Sequence, residues 1–508
     1  MMQTPAAGGG EPGVASSTRA RHIALVVAVG LIARLYLIYR YPSIFGDDTI
    51  ARLIHADHIV LSHDLPLLQI LIHYLQPISR NPLLVRWCMA GVGSVAGAGF
   101  YMLLSDLVSP SVALDGSLLF VANPFILADS VVPYQEIVML AGLVFAFHFA
   151  FTERWPLASL SLGVACLTRY EAWLACPVLA CAFAWKGGLG VRSALAGIAL
   201  FGWAPLGWMA YNRGITPAGS YAIEWSSNPE RALRWAHLAA VTVRNSPLPA
   251  LILAGVGTVT FWRRRLFAER PYRMLTAFLA LLLVAILFSA HGIGDQPERV
   301  VTQREAHVPL TAVTVLAALG LSTLPRFRRA AAALTVVVSL AMADRYVRRQ
   351  TSEPHLALSY RVARYLDGTV APAEQVVVLA QPIQAEDALA RIERRRGAGA
   401  VRRTLATVRA LGMVPSEYGR ILVHTRLNRD QVRTYATLEL GRFADGSEGN
   451  QPAPAAQPSP RRQWLVQWSD FVASNPIEAG LAAAVASEVP RQVFAQDNVW
   501  VRLYTLPR

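Results

Sequence analysis

Charge is what this 508-residue chain has least of: Asp, Glu, Lys and Arg make up 16% of it, against 54% for AVILMFWYC residues. So little charge cannot coat three or four ordinary soluble domains, and it excludes disordered, collagen-like and coiled-coil chains. Lysine is nearly missing, Lys186 being the only one, so the cations are arginine and no lysine-rich tract exists to bind phosphates. Cysteine is also scarce. Cys88, Cys166, Cys176 and Cys181 all fall inside apolar runs, which reads them as small core residues and leaves neither a disulfide framework nor a CxxC metal motif.

What is present is a series of apolar runs of bilayer length and a mean hydropathy of +0.36. They lie near 22–40, 83–104, 110–128, 134–151, 156–169, 171–185, 194–211, 248–262, 274–290, 308–324 and 330–343. About eleven spans of an α-helical polytopic membrane protein follow. The first run lacks a small-residue cleavage site before YLIYRY and reads as an uncleaved span. Residues 1–21 read as a disordered cytoplasmic tail and 22–343 as the membrane domain. Glycine spacings such as GVGSVAGAG at 91–99 sit within a span and mean close helix packing.

The net charge of +14 is explained by position. The clusters WRRRLFAERPYR at 262–273 and PRFRR at 325–329 fall in one alternating set of short loops, with Arg19, Arg21, Arg154, Lys186 and Arg192. By the positive-inside rule that set and the N-terminus are cytoplasmic. From Thr351 onward 19 Arg face 15 acids, so only +4 of the +14 lies in the tail. No nucleic-acid partner is indicated. Residues 41–82, 212–247 and 291–307 then face outward, as does the C-terminal region from 344.

Residues 344–508 change character. HLALSYRVARYLDG reads as a helix, QVVVLA at 375–380 as a strand, 384–411 as an Arg-rich helical region, and RILVHT, QWLVQW and VWVRLYTL as strands. A mixed α/β extracytoplasmic domain is the simplest account. FADGSEGNQPAPAAQPSPRR at 443–462 reads as a disordered insertion within it.

The first outer loop, 41–82, holds the chemistry. Asp47 and Asp48 follow Phe45 and Gly46 a few residues after the first span. A carboxylate near the membrane surface is desolvated and becomes a better proton acceptor. The same residues also suit a helix N-cap at GDDTIARLIHADHIV. His55, His58, His63 and His73, with Asp57 and Asp64, have spacings that can hold a divalent cation such as Mg or Mn, and equally suit a solvated amphipathic helix.

The order of these residues resembles the GT-C superfamily of integral membrane glycosyltransferases, in the branch of dolichyl-phosphate-mannose protein mannosyltransferases and bacterial aminoarabinose transferases. The resemblance rests on Asp47-Asp48 opening the first outer loop, SHDLPLL at 62–68 and Arg86 at the second span. It continues in LLFVANPFILADSVVPYQEIVMLAGLVF with Glu136, LGVACLTRYEAWLACPVLA with Arg169, and QREAHVPLTAVTVLAALGL with Arg304. Asp stands where the family's pair usually has Glu, and Glu305-Ala306 where a Tyr follows the late Arg.

The resemblance implies an inverting glycosyltransferase that moves a sugar from a polyprenyl-phosphate donor to a lipid, glycan or protein acceptor. Asp47 would be the base, with Asp48 or Glu136 orienting it, binding the acceptor or holding a cation. Arg169, Arg299 and Arg304 would contact the lipid phosphate, a role that suits guanidinium groups; snorkelling, or pairing with Glu171, Glu298 and Glu305, is the plainer alternative. His63 and His291 are outer-loop polar residues that could also bind substrate. An O-antigen ligase or polymerase, a lipid or polysaccharide transporter, and a non-catalytic assembly partner are the competing readings. Absence of an internal repeat and of mid-span acids argues against the transporter.

Overall fold

The computed structural model describes residues 12–46, 49–50, 52–53, 65–78, 82–212, 231–288, 306–372, 374–379, 416–427, 431–433, 463–468, 485–486, 488–496 and 499–506. The chain divides into two compact units. One comprises Met1–Arg40, Leu65–Leu68 and Arg86–Val347; the other comprises Tyr41–Asp64, Gln69–Val85 and Arg348–Arg508.

The apolar part of the chain is built of helices. In chain order it forms α1 (Pro12–Arg40), α2 (Pro66–Leu75), α3 (Pro82–Ser105), α4 (Pro110–Ala122), α5 (Pro124–Asp129), α6 (Gln135–Phe151) and α7 (Trp155–Cys166). There follow α8 (Ala175–Lys186), α9 (Val191–Asn212), α10 (Arg231–Arg244), α11 (Leu248–Arg263), α12 (Arg270–Phe288), α13 (His307–Ser322) and α14 (Arg328–Thr351). A helix stands at each of the eleven apolar runs. Among the described residues four are long and apolar enough to cross a membrane unaided: Ser17–Arg40, Pro82–Ser105, Val191–Tyr211 and Arg328–Thr351. Their outward faces carry Ile32, Tyr36, Ile198, Leu206, Leu334 and Val337 exposed, which is the surface expected of helices solvated by lipid.

Local chemistry explains where the helices begin and end. Proline opens α2, α3, α4 and α5, where its missing N–H is not needed. The run 110–128 is two helices rather than one, because Pro124 cannot continue the ladder of α4. Asn123 restarts the chain, its side chain accepting from Phe125 N at 3.1 Å and Ile126 N at 3.3 Å. The chain is helical from Pro12, inside the stretch read as a tail ending at residue 21. Within the loop expected over 212–247, α10 forms and meets α11 at a bend of 117° between Leu238–Arg244 and Leu248–Arg263.

Glycine brings the helices together, as its spacing suggested. A Cβ on Gly97 would lie 2.2 Å from Val121, and one on Gly93 would lie 2.5 Å from Arg34 Nε. The tightest crossing joins α11 and α13, where a Cβ on Gly257 would meet the Leu316 carbonyl oxygen at 1.8 Å and one on Gly320 the Leu253 carbonyl oxygen at 2.1 Å. Of the cysteines, Cys166 is buried and Cys88 and Cys176 half-buried, whereas Cys181 is exposed and not a core residue; it is an apolar residue on an outward helix face.

The C-terminal unit has the mixed α/β character expected. α15 (Pro354–Thr369) is capped by Glu353, whose carboxylate accepts from His355 N at 3.1 Å and Leu356 N at 2.8 Å. The strands are β1 (Gln375–Leu379), β2 (Val432–Arg433), β3 (Gln463–Trp468), β4 (Gln492–Gln496) and β5 (Val499–Leu506), in the order β2-β1-β3-β5-β4. β1 runs parallel to β2 and β3, while β5 is antiparallel to β3 and β4, with Val376 opposite Trp464 and Val466 opposite Leu503. Val376, Val378, Val466, Trp468, Val501 and Leu503 join Leu358, Val362 and Leu366 of α15 in one core.

RILVHT is a correction: it belongs to the helix α16 (Ser416–His424) and not to a strand. Three adjacent apolar residues carry no periodicity that separates the two. Packing decides, with Ile421 fully buried in the core shared with α15. β4 went unrecognised because Val493 is exposed on an edge strand. The regions 384–411 and 443–462 lie outside the described residues.

Candidate functional site

Ionisable side chains are rare in this bundle, and four of them converge on the connection from Asp129 to Glu136. The connection exists because α5 stops after Asp129 and α6 begins only at Gln135. From α1, Arg34 donates from Nε to Ser130 Oγ at 2.6 Å and from Nη1 to the Gly30 carbonyl at 2.9 Å and the Val121 carbonyl at 3.4 Å. From α3, Arg86 donates from Nε to the Val131 carbonyl at 2.8 Å. Both arginines are fully buried. Two of these bonds reach the Val121 carbonyl at the end of α4 and the Val131 carbonyl in the turn after α5, where intrahelical partners run out.

Two further pairs close the cluster. His307, the first residue of α13, places Nε2 3.0 Å from Asp129 Oδ2, with the Phe125 ring centred 4.8 Å from the imidazole. Glu136 lies in the first turn of α6, where the helix N-terminus favours a negative charge. Its Oε1 accepts from Arg169 Nη1 at 2.8 Å, and its side chain is only 1% exposed.

Arg169 comes from the turn between α7 and α8. α7 ends at Cys166, Arg169 is extended, and a single 3-10 turn, Tyr170–Leu174, leads into α8. Trp173 Nε1 donates to the Cys166 carbonyl at 2.9 Å, and Leu67 N of α2 donates to the Leu167 carbonyl at 3.1 Å. Arg169 also grips Glu171, with Nε donating to Oε2 at 3.0 Å and Nη2 to Oε1. One guanidinium thus joins a buried acid to a half-buried one. Chemically, the cluster can fix a carboxylate and its neighbouring backbone in a medium where ionised groups hold their geometry strongly.

Of the residues singled out in the sequence, Glu136 and Arg169 are brought into contact. Asp47, Asp48, His63, His291, Arg299 and Arg304 lie outside the described residues, as do His55 and His58. The chain flanking the acid pair is described. Gly46 has φ +86°, Thr49 Oγ1 donates to the Phe45 carbonyl at 2.7 Å and the Gly46 carbonyl at 2.6 Å, and Thr49–Ile50 is helical. Among the described residues no group of three His, Cys, Asp or Glu is placed to hold a metal ion. Arg34, Asp129 and His307 were missed. The signal was an arginine in the middle of GLIARLYLIY, since an ionisable residue within a span points to function or to a buried partner.

No protein-family model matches the sequence, and no curated protein is significantly similar to it. Solved structures do match over nearly the whole length. The crystal structure of ArnT from Cupriavidus metallidurans bound to undecaprenyl phosphate aligns over 95% of this chain and 97% of that one, with a TM-score of 0.54 and 11% sequence identity. The apo ArnT structure from the same organism aligns over 96% and 98%, with a TM-score of 0.53 and 11% identity. The chain is therefore a membrane protein with an ArnT-like fold, combining a helical membrane half with a small C-terminal α/β sheet.

Proposed function

We propose that this protein is an inverting glycosyltransferase that moves a sugar from a polyprenyl-phosphate donor to an acceptor hydroxyl or amine at the outer face of a bacterial inner membrane. The observation that carries the reading is the cluster on residues 129–136. Burying Arg34, Arg86, Asp129, Glu136 and His307 in an apolar bundle is costly, and such groups mark functional sites in membrane proteins. The ArnT-like fold supports a polyprenyl-phosphate donor, because an ArnT of that fold binds undecaprenyl phosphate.

The chemistry follows from the leaving group. The acceptor heteroatom bonds to the anomeric carbon as the carbon–oxygen bond to the lipid phosphate breaks, and one displacement inverts the anomeric centre. Asp47 takes the acceptor proton, assistance worth about 10²–10⁴ in rate. Asp48 and Glu136 orient the acceptor or the base. Arg169, Arg299 and Arg304 hold the phosphate as its charge grows, and His63 and His291 line the acceptor side. The N-terminus and basic loops lie in the cytoplasm.

The test is mass-resolved transfer from a panel of polyprenyl-phosphate sugars in membranes containing wild-type protein or Asp47→Asn. Transfer from one donor, lost in the variant while folding is retained, supports the reading. No transfer from any donor by folded wild-type protein refutes it, and unaltered transfer by Asp47→Asn removes the base from Asp47.

A further inference from the structure

We propose that His424, at the end of α16, is a positioning residue for the first outer loop: as a neutral imidazole it holds the chain three residues before Asp47, and on protonation it releases it. The consequence for catalysis rests on the role given to Asp47 above. The structural claim stands without it.

The bond partners fix the state of the ring. Ile44 N lies 2.8 Å from His424 Nε2. A backbone N–H can only donate, so Nε2 must be bare. On the other side of the ring, Nδ1 lies 2.5 Å from the Arg420 carbonyl oxygen, which can only accept, so Nδ1 must carry the hydrogen. Together they select one neutral tautomer. A second proton would have to go on Nε2, where it would face the Ile44 N–H and abolish the bond.

The anchored segment is built to transmit this contact. Ile44 and Phe45 are buried, and Gly46 takes the left-handed backbone that a side chain would disfavour. Thr49 then pins the Phe45 and Gly46 carbonyls from the far side. Asp47 and Asp48 therefore sit in sequence between two anchors, one from the far end of the chain and one local. Freeing the first removes the hold that the far end of the chain has on Ile44.

The titratable and charged groups around the imidazole come from the packed elements. The Tyr360 ring of α15 meets it edge-on at 5.4 Å, and Arg420 of α16 donates to Glu353, the cap of α15, at 3.4 Å. Just beyond His424, the Asp367 carboxylate accepts from Thr425 Oγ1 and Arg426 N, each at 2.6 Å. Arg348 donates to the Tyr41 hydroxyl at 3.3 Å, three residues before Ile44. Glu353 and Asp367 are engaged by Arg420 and by Thr425 and Arg426, and the contact that ties His424 to the first outer loop is the Ile44 amide.

The experiment is hydrogen exchange, read by mass spectrometry, on peptides covering Ile44 in the full chain in lipid nanodiscs. Rates are corrected for intrinsic pH dependence across the imidazole range. Wild-type protein should protect the Ile44 amide above that range and lose about tenfold of the protection below it, the change expected from one hydrogen bond. His424→Gln puts a non-titrating acceptor where Nε2 lies, so protection should persist at every pH. His424→Phe should lose it at every pH. Protection of Ile44 that is unchanged by pH in wild type, or that falls with pH in His424→Gln as in wild type, overturns the proposal even if the Phe variant does not fold. Sugar transfer, measured in parallel, should lose its acid-side decline in His424→Gln. Absence of transfer in every protein counts against the glycosyltransferase reading alone, because the exchange result is read independently.

Discussion

The Arg169–Glu136 pair makes the most direct test of the cluster, and a double-mutant cycle isolates it. The pair is 2.8 Å long, and the Glu136 side chain is 1% exposed against 20% for Glu171 on the same guanidinium. At an effective dielectric of about 20, charges centred about 4 Å apart attract by about 4 kcal/mol, part of which is offset by desolvation. A coupling of about 1.5–3 kcal/mol should remain between Glu136→Gln and Arg169→Met. Thermal unfolding of the four proteins in one detergent reads it. In a chain of this length each kcal/mol moves the midpoint by about 2 °C or less, so the double variant should melt a few degrees above the sum of the single effects. Glu171→Gln is the control, and its more exposed carboxylate should couple to Arg169 by a smaller amount. Effects of Glu136→Gln and Arg169→Met that add to within about 0.5 kcal/mol would refute the claim that the buried acid and the arginine act as a unit.

Two further changes probe what holds the molecule together. Gly320→Ala, which aims a methyl at the Leu253 carbonyl oxygen 2.1 Å away, should push α13 off α11 and destabilise the bundle by about 1–3 kcal/mol or more. Gly255→Ala, whose Cβ meets nothing within 4 Å on the same helix α11, should leave the melting midpoint within error of wild type. In the C-terminal unit, Leu503→Ala empties a fully buried site opposite Val466 and should cost about 2–5 kcal/mol, read as a lower denaturant midpoint for tryptophan fluorescence.

How far the sequence reaches differs between elements. The eleven helical positions were legible because each apolar run has to be helical in lipid, where no other local structure satisfies its own backbone. The third run reads as one span, and the break at Pro124 was not legible in it; Arg34 reaches the Val121 carbonyl just before that break, and Arg86 the Val131 carbonyl in the turn after α5. β1, β3 and β5 were legible as dense apolar runs. α16 was not, because Ile421, Leu422 and Val423 form a run too short to show a period, and contact with α15 settles it. In the candidate site, Glu136 and Arg169 were picked out by their residue types and their order along the chain. Nothing local in the sequence says that they meet.

The sequence by itself determined that this is a multi-span helical membrane protein with a mixed α/β tail, because hydropathy, charge placement and strand-like runs are local properties that water and lipid act on directly. Only the tertiary structure decided which charges face one another. Arg34 reaches Ser130, His307 reaches Asp129, Arg169 reaches Glu136, and His424 reaches Ile44 across most of the chain. A buried polar group must find its partner wherever the fold has placed one, so the pairing belongs to the packing of helices and not to the order of residues.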